Sequence, residues 1–254
     1  MSKQDILLYE KKDRVLLITL NCPDKLNAIG RELSDRIYDA LEQFDRDEDL
    51  WVAIITGAGD KAFSAGGDLN DPQEIKLATS GDLPNWYLKD IWKPMVAAIN
   101  GYCMTLGWAL AQKCDIRLAA EHAQFGIKAT RFNFSGAFAS DLARRVHLAH
   151  ALEIMLWGDN VFSAQRVYEM GWLNKVVPKE KLMEEAMSWA ERMLYLAPRA
   201  VRNIKQLLYY GYDMSPSAAH AFATALSTNL PSMEDTAEAI NSFFEKRKPV
   251  FRNR

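Results

Sequence analysis

Short apolar runs alternate with amphipathic segments in the first half of the chain. Residues 15–20 (VLLITL) form a run of β-branched and aliphatic side chains, and similar runs occupy 51–56, 95–99 and 115–120. Such runs are typical of strands that are buried on both faces. Residues 31–46 instead place their apolar side chains at helical spacing, which predicts an amphipathic helix. Buried strands separated by helices favour an α/β fold with crossover connections.

The last third of the chain has an almost continuous helical spacing of apolar residues. Its final helix is expected to begin at the capping-box-like segment 232–235 and to end before Pro249. An earlier helix is expected over 141–156, with Asp141 as its N-cap or, alternatively, as a side chain that reaches a pocket. The polar segment 70–85 contains two prolines and a Ser-Gly step, so it is predicted to be a mobile lid loop or, alternatively, a plain solvated connection.

Composition excludes several classes of protein. The chain has 254 residues, 49% of them hydrophobic, and a formal net charge of -2, so it can bury a large core and offers no strong positive field for nucleic acid. Cys22, Cys103 and Cys114 lack the paired spacing of disulfides or zinc ligands, which favours a reducing compartment. The charged N-terminus does not resemble a signal peptide, and the longest apolar region, 95–111, is too short to span a bilayer. We therefore expect a cytoplasmic protein with no metal, nucleic-acid or membrane partner.

Two glycine-containing turns follow predicted strands and lead into predicted helices. The first lies at 63–69 (FSAGGDL) and the second at 100–110 (NGYCMTLGWAL). Exposed backbone N–H groups at such turns, reinforced by a helix N-terminus, can stabilise an oxyanion without any side chain. Neither turn matches a phosphate-binding P-loop or a GxGxxG fingerprint. Each turn alone is weak support for a carbonyl-binding site, and the pair is more specific.

The turns belong to a series of short motifs that spans nearly the whole chain. The motifs include CPDKLNA (22–28), KAFSAGGDL (61–69), NGY (100–102), AQFG (123–126) and FEKRKP (244–249). In this order and spacing they resemble the crotonase superfamily, that is, the enoyl-CoA hydratase/isomerase superfamily.

The resemblance implies a fold, a substrate class and an assembly. The implied fold is α/β, with a crotonase-like ββα spiral core that binds acyl-CoA over residues 1–195. A C-terminal helical trimerisation region would follow over residues 196–254. The implied substrate is an acyl-CoA thioester, so coenzyme A enters as part of the substrate and no permanently bound cofactor is expected. Members of the superfamily are usually homotrimers or hexamers built as dimers of trimers.

The resemblance also implies roles for individual residues. The thioester carbonyl would lie between the backbone N–H groups of Gly67 and Leu106, which would stabilise an enolate. Gly67 follows another glycine and Leu106 begins a predicted helix, so both N–H groups suit this role. Phe243 and Lys246 would close over the CoA, often from a neighbouring subunit, although Lys246 also fits a solvated surface charge. The remaining positions implied to contact or flank the thioester are Leu26, Ala28, Ala65 and Asp68.

The sequence departs from the hydratase pattern at both acid/base positions. Where hydratases of the superfamily carry two glutamates, this chain has Ala109 and Ala129, and a methyl group neither accepts nor donates a proton. Ordinary hydration is therefore not expected. The expected reactions are isomerisation, C–C cleavage or hydrolysis, and decarboxylation.

Two side chains are further candidates for a catalytic role. Glu74 in the predicted lid is the candidate for a displaced base. Ser135 is the other candidate, because the resemblance places it near the position where the dehalogenase branch of the superfamily carries an aspartate nucleophile; its alternative is an ordinary loop hydroxyl. The competing hypothesis for the whole chain is a non-catalytic acyl-CoA-binding homologue.

Overall fold

The computed structural model describes residues 5–254, which form two β-sheets surrounded by helices. The strands are β1 (Leu7–Lys12), β2 (Val15–Leu20), β3 (Val52–Gly57), β4 (Ala62–Ser64), β5 (Met95–Ile99), β6 (Tyr102–Met104), β7 (Ile116–Ala120), β8 (Gln124–Gly126), β9 (Phe162–Ser163) and β10 (Lys175–Val177). The helices are α1 (Arg31–Arg46), α2 (Pro72–Ser80), α3 (Asn85–Leu88), α4 (Leu106–Lys113), α5 (Ala139–Leu142), α6 (Leu148–Leu156), α7 (Ala164–Glu169), α8 (Leu182–Met193), α9 (Pro198–Gly211), α10 (Pro216–Ser227) and α11 (Glu234–Glu245).

The strands alternate between the two sheets along the chain. The larger sheet has the spatial order β1-β2-β3-β5-β7-β10, and the smaller sheet has the order β4-β6-β8-β9. In the larger sheet β1 pairs antiparallel with β2, and the other neighbours pair parallel. β3, β5 and β7 each continue within a few residues into β4, β6 and β8 of the smaller sheet. These repeated strand pairs, followed by helices, form the ββα arrangement expected from the sequence.

The central strands of the larger sheet, β2, β3 and β5, are buried on both faces, which explains their apolar sequences. On β2, Leu16 and Ile18 join a hydrophobic cluster that contains Ile37 of α1. Val15 and Leu17 join a separate cluster that contains residues of α8. Because successive side chains of a strand point to opposite faces, a strand between two such clusters must be apolar throughout.

The C-terminal helices bury little of their own surface. α9 contains one buried residue, Pro198, and α10 contains none. Ile204, Leu208 and Tyr212, spaced four residues apart, lie on one exposed apolar stripe that begins on α9. α9 is attached to the core by Lys205, whose Nζ lies 2.7 Å from the carboxylate of Asp115. The apolar stripe is therefore uncovered in a single chain.

The start of the last helix differs from the sequence expectation. α11 begins at Glu234 after Met233, and no side chain of residues 5–254 caps it. The Ser232 hydroxyl donates to the Asn229 carbonyl oxygen instead (3.0 Å). The expected capping box at 232–235 is therefore wrong, because the preceding 3-10 turn uses the hydroxyl group.

Candidate active site

The turn after β4 presents the backbone N–H of Gly67 to a cavity. Gly66 has φ +104°, a conformation that favours glycine, and a Cβ there would lie 3.0 Å from the Met104 carbonyl oxygen. The Ile29 N–H donates to the Gly66 oxygen (2.7 Å), and the Asp68 N–H donates to the Ile29 oxygen (3.0 Å). These bonds flank Gly67 as in a parallel strand pair, so its own N–H points away from Ile29. Within residues 5–254 the Gly67 N–H has no acceptor.

Helix α4 presents a second unused N–H group, that of Leu106. The preceding residue, Thr105, already has its carbonyl oxygen bonded to the Ala109 N–H (2.9 Å). The Leu106 N–H is one of the first four of the helix, which have no partner inside it, and it has no acceptor among residues 5–254. α4 lies directly on β4, since a Cβ on Gly107 would stand 2.7 Å from the Ser64 carbonyl oxygen. This close approach keeps the two turns side by side.

Gly67 and Leu106 both line a cavity of about 250 Å³. Apolar side chains form most of its wall, among them Leu77, Ala78, Leu106, Phe132, Phe134 and Phe138. The titratable side chains on the wall are Glu74, Asp82 and Lys128. A largely apolar cavity with a few polar groups is typical of a small-molecule site.

Glu74 is the most buried of these titratable side chains. It is 5% exposed, whereas Asp82 is exposed and Lys128 is half-buried. The Glu74 Oε1 lies 3.0 Å from the position that a Cβ on Gly67 would take, so the carboxyl group stands over the first turn. Burial, and then the charges of Asp71 and Asp68, raise the pKa of Glu74 to about 7. A carboxyl group with this pKa can both accept and donate a proton at neutral pH.

Helix α2 holds Glu74 in place, and it occupies much of the segment predicted to be a loop. The Asp71 carboxylate accepts the N–H groups of Gln73 (2.9 Å) and Arg31 (2.7 Å), which caps α2 and ties it to the start of α1. Pro72 occupies the first turn of α2, where its missing N–H is not needed, and Gly81 ends the helix with φ +80°. The prolines and the glycine of this segment therefore mark helix ends, and the loop prediction for 70–85 is wrong over α2.

The other acid/base positions lie in three different surroundings. Ala129 lines the cavity. Ala109 is fully buried in the hydrophobic core and is not on the cavity wall. Ser135 is exposed, and its neighbours Phe134 and Gly136 line the cavity while it does not. Of the two candidate acid/base side chains, the structure brings Glu74 to the cavity and leaves Ser135 outside its wall.

The turn that carries Leu26 and Ala28 packs beside the first turn of the cavity. Ala65 lines the cavity, and its N–H donates to the Leu26 carbonyl oxygen (2.9 Å). On its other side Leu26 lines a separate cleft of about 450 Å³ that includes Lys61. The buried amide of Asn27 fixes this turn by donating to two carbonyl oxygens of the segment after β3 (3.0 and 2.9 Å). Ala65 and Leu26 thus connect the cavity to the cleft.

Asp68, Phe243 and Lys246 lie outside the cavity wall. Asp68 accepts the N–H of Asn70 (3.0 Å) and pairs with Lys25 Nζ (3.2 Å). The bond from Asn70 most of all, and then the contacts with Lys25, lower the pKa of Asp68, so this carboxylate stays ionised and pins the turn. Phe243 is largely exposed, and Lys246 ends α11 in a left-handed conformation.

A polar group of Tyr87, Asp141 and Gln112 lies next to Phe138 of the cavity wall, whose carbonyl oxygen accepts from Gln112 Nε2 (3.4 Å). The Tyr87 hydroxyl donates to the Asp141 carboxylate (2.8 Å) and accepts from Gln112 Nε2 (3.2 Å). Asp141 lies inside the short helix α5, and the helix expected over 141–156 is interrupted between α5 and α6. The predicted N-cap role of Asp141 is therefore wrong, because its carboxylate serves Tyr87. No sequence signal joins two residues 54 positions apart.

The cysteines and histidines add no second reactive centre to the described residues. Among residues 5–254, no three His, Cys, Asp or Glu side chains are grouped so that they could hold a metal ion, and no helix is long and apolar enough to cross a membrane. Cys22, Cys103 and Cys114 are free thiols. Burial raises the pKa of the Cys114 thiol to about 12, and it also raises that of Cys103. His147 accepts the Ala149 N–H at the start of α6 (3.3 Å).

Comparison with known proteins agrees with the fold. The profile of the Enoyl-CoA hydratase/isomerase family matches residues 10–254. The chain is 35% identical over 252 residues to a probable mitochondrial enoyl-CoA hydratase of Dictyostelium discoideum, covering 96% of this chain and 90% of that protein. It is 34% identical over 254 residues to the 2,3-dehydroadipyl-CoA hydratase of Escherichia coli K12, covering 98% and 99%.

Solved structures give the same result. The crystal structure of an enoyl-CoA hydratase from Mycobacterium tuberculosis H37Rv matches with a TM-score of 0.91 at 29% identity, covering 99% of this chain and 100% of that one. The enoyl-CoA hydratase of Bacillus anthracis matches with a TM-score of 0.90 at 28% identity, covering 98% and 100%. The chain therefore has the crotonase fold and belongs to the enoyl-CoA hydratase/isomerase family.

Proposed function

We propose that this chain acts on an acyl-CoA thioester through an enolate bound between the two turns. The thioester carbonyl oxygen accepts hydrogen bonds from the N–H groups of Gly67 and Leu106, which have no other acceptor within residues 5–254. The acyl group fills the apolar cavity, and the CoA portion passes Ala65 towards the cleft lined by Leu26, with Ala28 in the same turn. Backbone donors of this kind act where negative charge develops, and losing one costs about 3 kcal/mol of transition-state stabilisation.

The buried carboxyl group of Glu74 is the observation that carries this proposal. It stands over Gly67, so it lies next to the place where the thioester carbonyl would be bound. Its raised pKa, about 7, matches the requirement of a general acid/base that works near neutral pH. Glu74 therefore removes and returns the proton, and the two backbone groups stabilise the charge that develops between these steps.

Isomerisation of a double bond is the reaction that one carboxyl group serves best. The Glu74 carboxylate takes a proton from the carbon next to the thioester carbonyl, and the electron pair passes through the conjugated system to the carbonyl oxygen. The protonated Glu74 then returns the proton two carbons further along the chain. Hydration by the family's usual pair needs two carboxyl groups, and Ala129 on the cavity wall offers none. Decarboxylation and C–C cleavage or hydrolysis proceed through related enolates and remain compatible with this site.

Hydration is the second candidate, because the relatives described above are named as hydratases. In that reaction Glu74 would act alone on a water molecule at the alkene. The non-catalytic alternative keeps the thioester in the same position and assigns no proton transfer to Glu74.

Assembly as a homotrimer, or as a hexamer of two trimers, is also part of the proposal. The uncovered stripe of Ile204, Leu208 and Tyr212 supports burial of residues 196–254 between copies of the chain, around an acyl-CoA-binding core of residues 1–195. Phe243 and Lys246, which lie away from their own cavity wall, would then cover the CoA bound to a neighbouring copy. The free thiols support the proposal of a cytoplasmic location.

The experiment compares the wild type with Glu74→Gln in three reactions. These are exchange of the α-protons of butyryl-CoA in D₂O, conversion of 3-hexenoyl-CoA to 2-hexenoyl-CoA, and hydration of crotonyl-CoA. We expect exchange and isomerisation by the wild type, hydration that is slow or absent, and a loss of about 100-fold or more in Glu74→Gln. Glu10→Gln, which removes an exposed glutamate on β1, is the control and should leave all three rates unchanged.

Each result has a defined meaning. Full activity of Glu74→Gln would overturn the role of Glu74. Binding of butyryl-CoA without any exchange or turnover by the wild type would favour the non-catalytic homologue. Fast hydration without isomerisation would favour the second candidate.

A further inference from the structure

Thr105, directly before the Leu106 donor, has an unusual backbone conformation. Its φ is +39° and its ψ is −98°, outside the regions that L-residues normally occupy. A β-branched side chain makes positive φ still less favourable. Such conformations persist where surrounding contacts impose them, and they concentrate at functional sites.

Hydrogen bonds to β8 and the segment after it impose this conformation. The Thr105 N–H donates to the Gly126 carbonyl oxygen (2.9 Å), and the Thr105 hydroxyl oxygen accepts the Lys128 N–H (3.1 Å). Lys128 is itself anchored, because its Nζ donates to the carbonyl oxygens of Asp159 (3.0 Å) and Asn160 (2.7 Å). Both partners of this bond, the Thr105 hydroxyl oxygen and the Lys128 N–H, are therefore held by residues outside α4.

The Thr105 hydroxyl does not cap the start of α4. A threonine at the N-cap position usually accepts an N–H from the second or third residue of its helix. In Thr105 the hydroxyl oxygen instead accepts from Lys128, and no side chain of residues 5–254 caps α4. The first N–H groups of the helix thus keep their capacity to bind a ligand oxygen.

We propose that Thr105 is a positioning residue for the Leu106 N–H. Its hydroxyl bond to Lys128 aims that N–H at the thioester carbonyl and keeps the hydroxyl from capping the helix itself. This inference rests on the proposed function, since it needs a carbonyl oxygen at Leu106, and it does not depend on which side chain moves the proton.

The experiment uses Thr105→Val, which keeps the shape of the side chain and removes the acceptor, and Thr105→Ser, which keeps the acceptor. Thr105→Ala is a second variant without the acceptor, in case valine disturbs folding, and Thr19→Val on β2 is the control for another half-buried threonine. The first readout is the infrared stretching frequency of the thioester carbonyl in bound ¹³C-carbonyl butyryl-CoA. The second is the rate of α-proton exchange, with KM and kcat determined separately and thermal melting followed for each variant.

We expect the wild type to lower the carbonyl frequency on binding. Thr105→Val and Thr105→Ala should lose about half of that shift and reduce kcat by about 10-fold or more, with KM nearly unchanged, because one of two donors is misaligned. Thr105→Ser and Thr19→Val should resemble the wild type. A purely structural role for Thr105 would instead lower the melting temperature and leave the shift of the folded protein intact.

The outcomes separate this inference from the proposed function. A carbonyl shift in the wild type that survives in folded Thr105→Val overturns the inference about Thr105. A shift that Thr105→Val reduces, in a protein that shows no α-proton exchange, supports Thr105 and contradicts the role of Glu74. Absence of any shift in the wild type overturns both.

Discussion

Replacement of Glu74 by Gln should stabilise the fold by an amount that increases with pH. Burial raises the pKa of this carboxyl group from 4.5 to about 7 in the folded protein, with a further contribution from Asp71 and Asp68. Between pH 4.5 and about 7 the folded chain holds this proton while the unfolded chain has released it, so stability falls as pH rises. Below pH 4.5 the carboxyl group is protonated in both the folded and the unfolded state, so it does not change the stability. Above about pH 7 it is charged in both states, and the full cost of burying the charge lowers the stability of the fold.

The size of the effect follows from the change in pKa. Folding raises the pKa of Glu74 by about 2.5, and each pKa unit corresponds to roughly 1.36 kcal/mol. The charged carboxylate therefore destabilises the folded state by about 3 kcal/mol at high pH. Glutamine has nearly the same shape and does not titrate, so Glu74→Gln removes the dependence on pH that this group causes. The difference in unfolding free energy between the variant and the wild type should therefore grow by about 2 to 3 kcal/mol from pH 5 to pH 8.

Urea unfolding followed by circular dichroism measures this difference. Both proteins are compared at one protein concentration and at pH 5, 6, 7 and 8, because any association of the chains contributes to stability. Glu10→Gln, on the exposed side of β1, is the control and should show a difference that does not grow across this range. A constant difference between Glu74→Gln and the wild type would refute the reasoning, since it would mean that the carboxyl group is not confined in the cavity.

Three further predictions concern other parts of the molecule. The rate of α-proton exchange by the wild type should rise with pH and level off above about pH 7, where Glu74 becomes the carboxylate base; a rate that falls over this range would contradict that role. Asn27→Ala should destabilise the fold by about 3 kcal/mol in urea unfolding, because two carbonyl oxygens and the Cys22 N–H lose their partner; a loss below about 0.5 kcal/mol would be inconsistent with this. Sedimentation at micromolar concentration should show a trimer or a multiple of three, and a uniform monomer would rule out the proposed assembly.

Elements with a strong local pattern could be predicted closely from the sequence. The strand expected over 15–20 and the one expected over 95–99 have the same bounds as β2 and β5, and the helix expected over 31–46 coincides with α1. In these segments the burial of each residue follows from its own periodic position, so local reasoning is sufficient. The resemblance to the crotonase superfamily supplied the rest of the fold.

The surroundings of Glu74 could be predicted only in part. The sequence places this residue in a lid and makes it a candidate base, but the prolines and the glycine of the segment also predict a loop. Asp71 followed by Pro72 is a recognisable helix start, and Gly81 is a recognisable helix end, so the sequence does contain the signal for α2. The approach of Glu74 to Gly67 could not be predicted, because it depends on how α2 packs against the turn after β4.

The contacts of Thr105 and Tyr87 could not be predicted at all. The conformation of Thr105 is imposed by hydrogen bonds to Gly126 and Lys128, which lie on the next strand pair. The bond from Tyr87 to Asp141 likewise joins segments that only the finished fold brings together. No local pattern reports such contacts, because each side chain alone fits an ordinary loop or helix position.

The two groups proposed to bind the carbonyl belong to the main chain, and this has a consequence for divergence. Apart from proline, no replacement at positions 67 or 106 deletes the N–H itself. The backbone around these two N–H groups tolerates little change, since any side chain at Gly107 would collide with the backbone of Ser64. The cavity wall tolerates more change, because Ala129 and the other apolar side chains on it are separate from the N–H groups of Gly67 and Leu106. A descendant of such a chain can therefore lose, move or regain its acid and base one residue at a time while it continues to hold the same thioester, so new reactions arise without a new binding site.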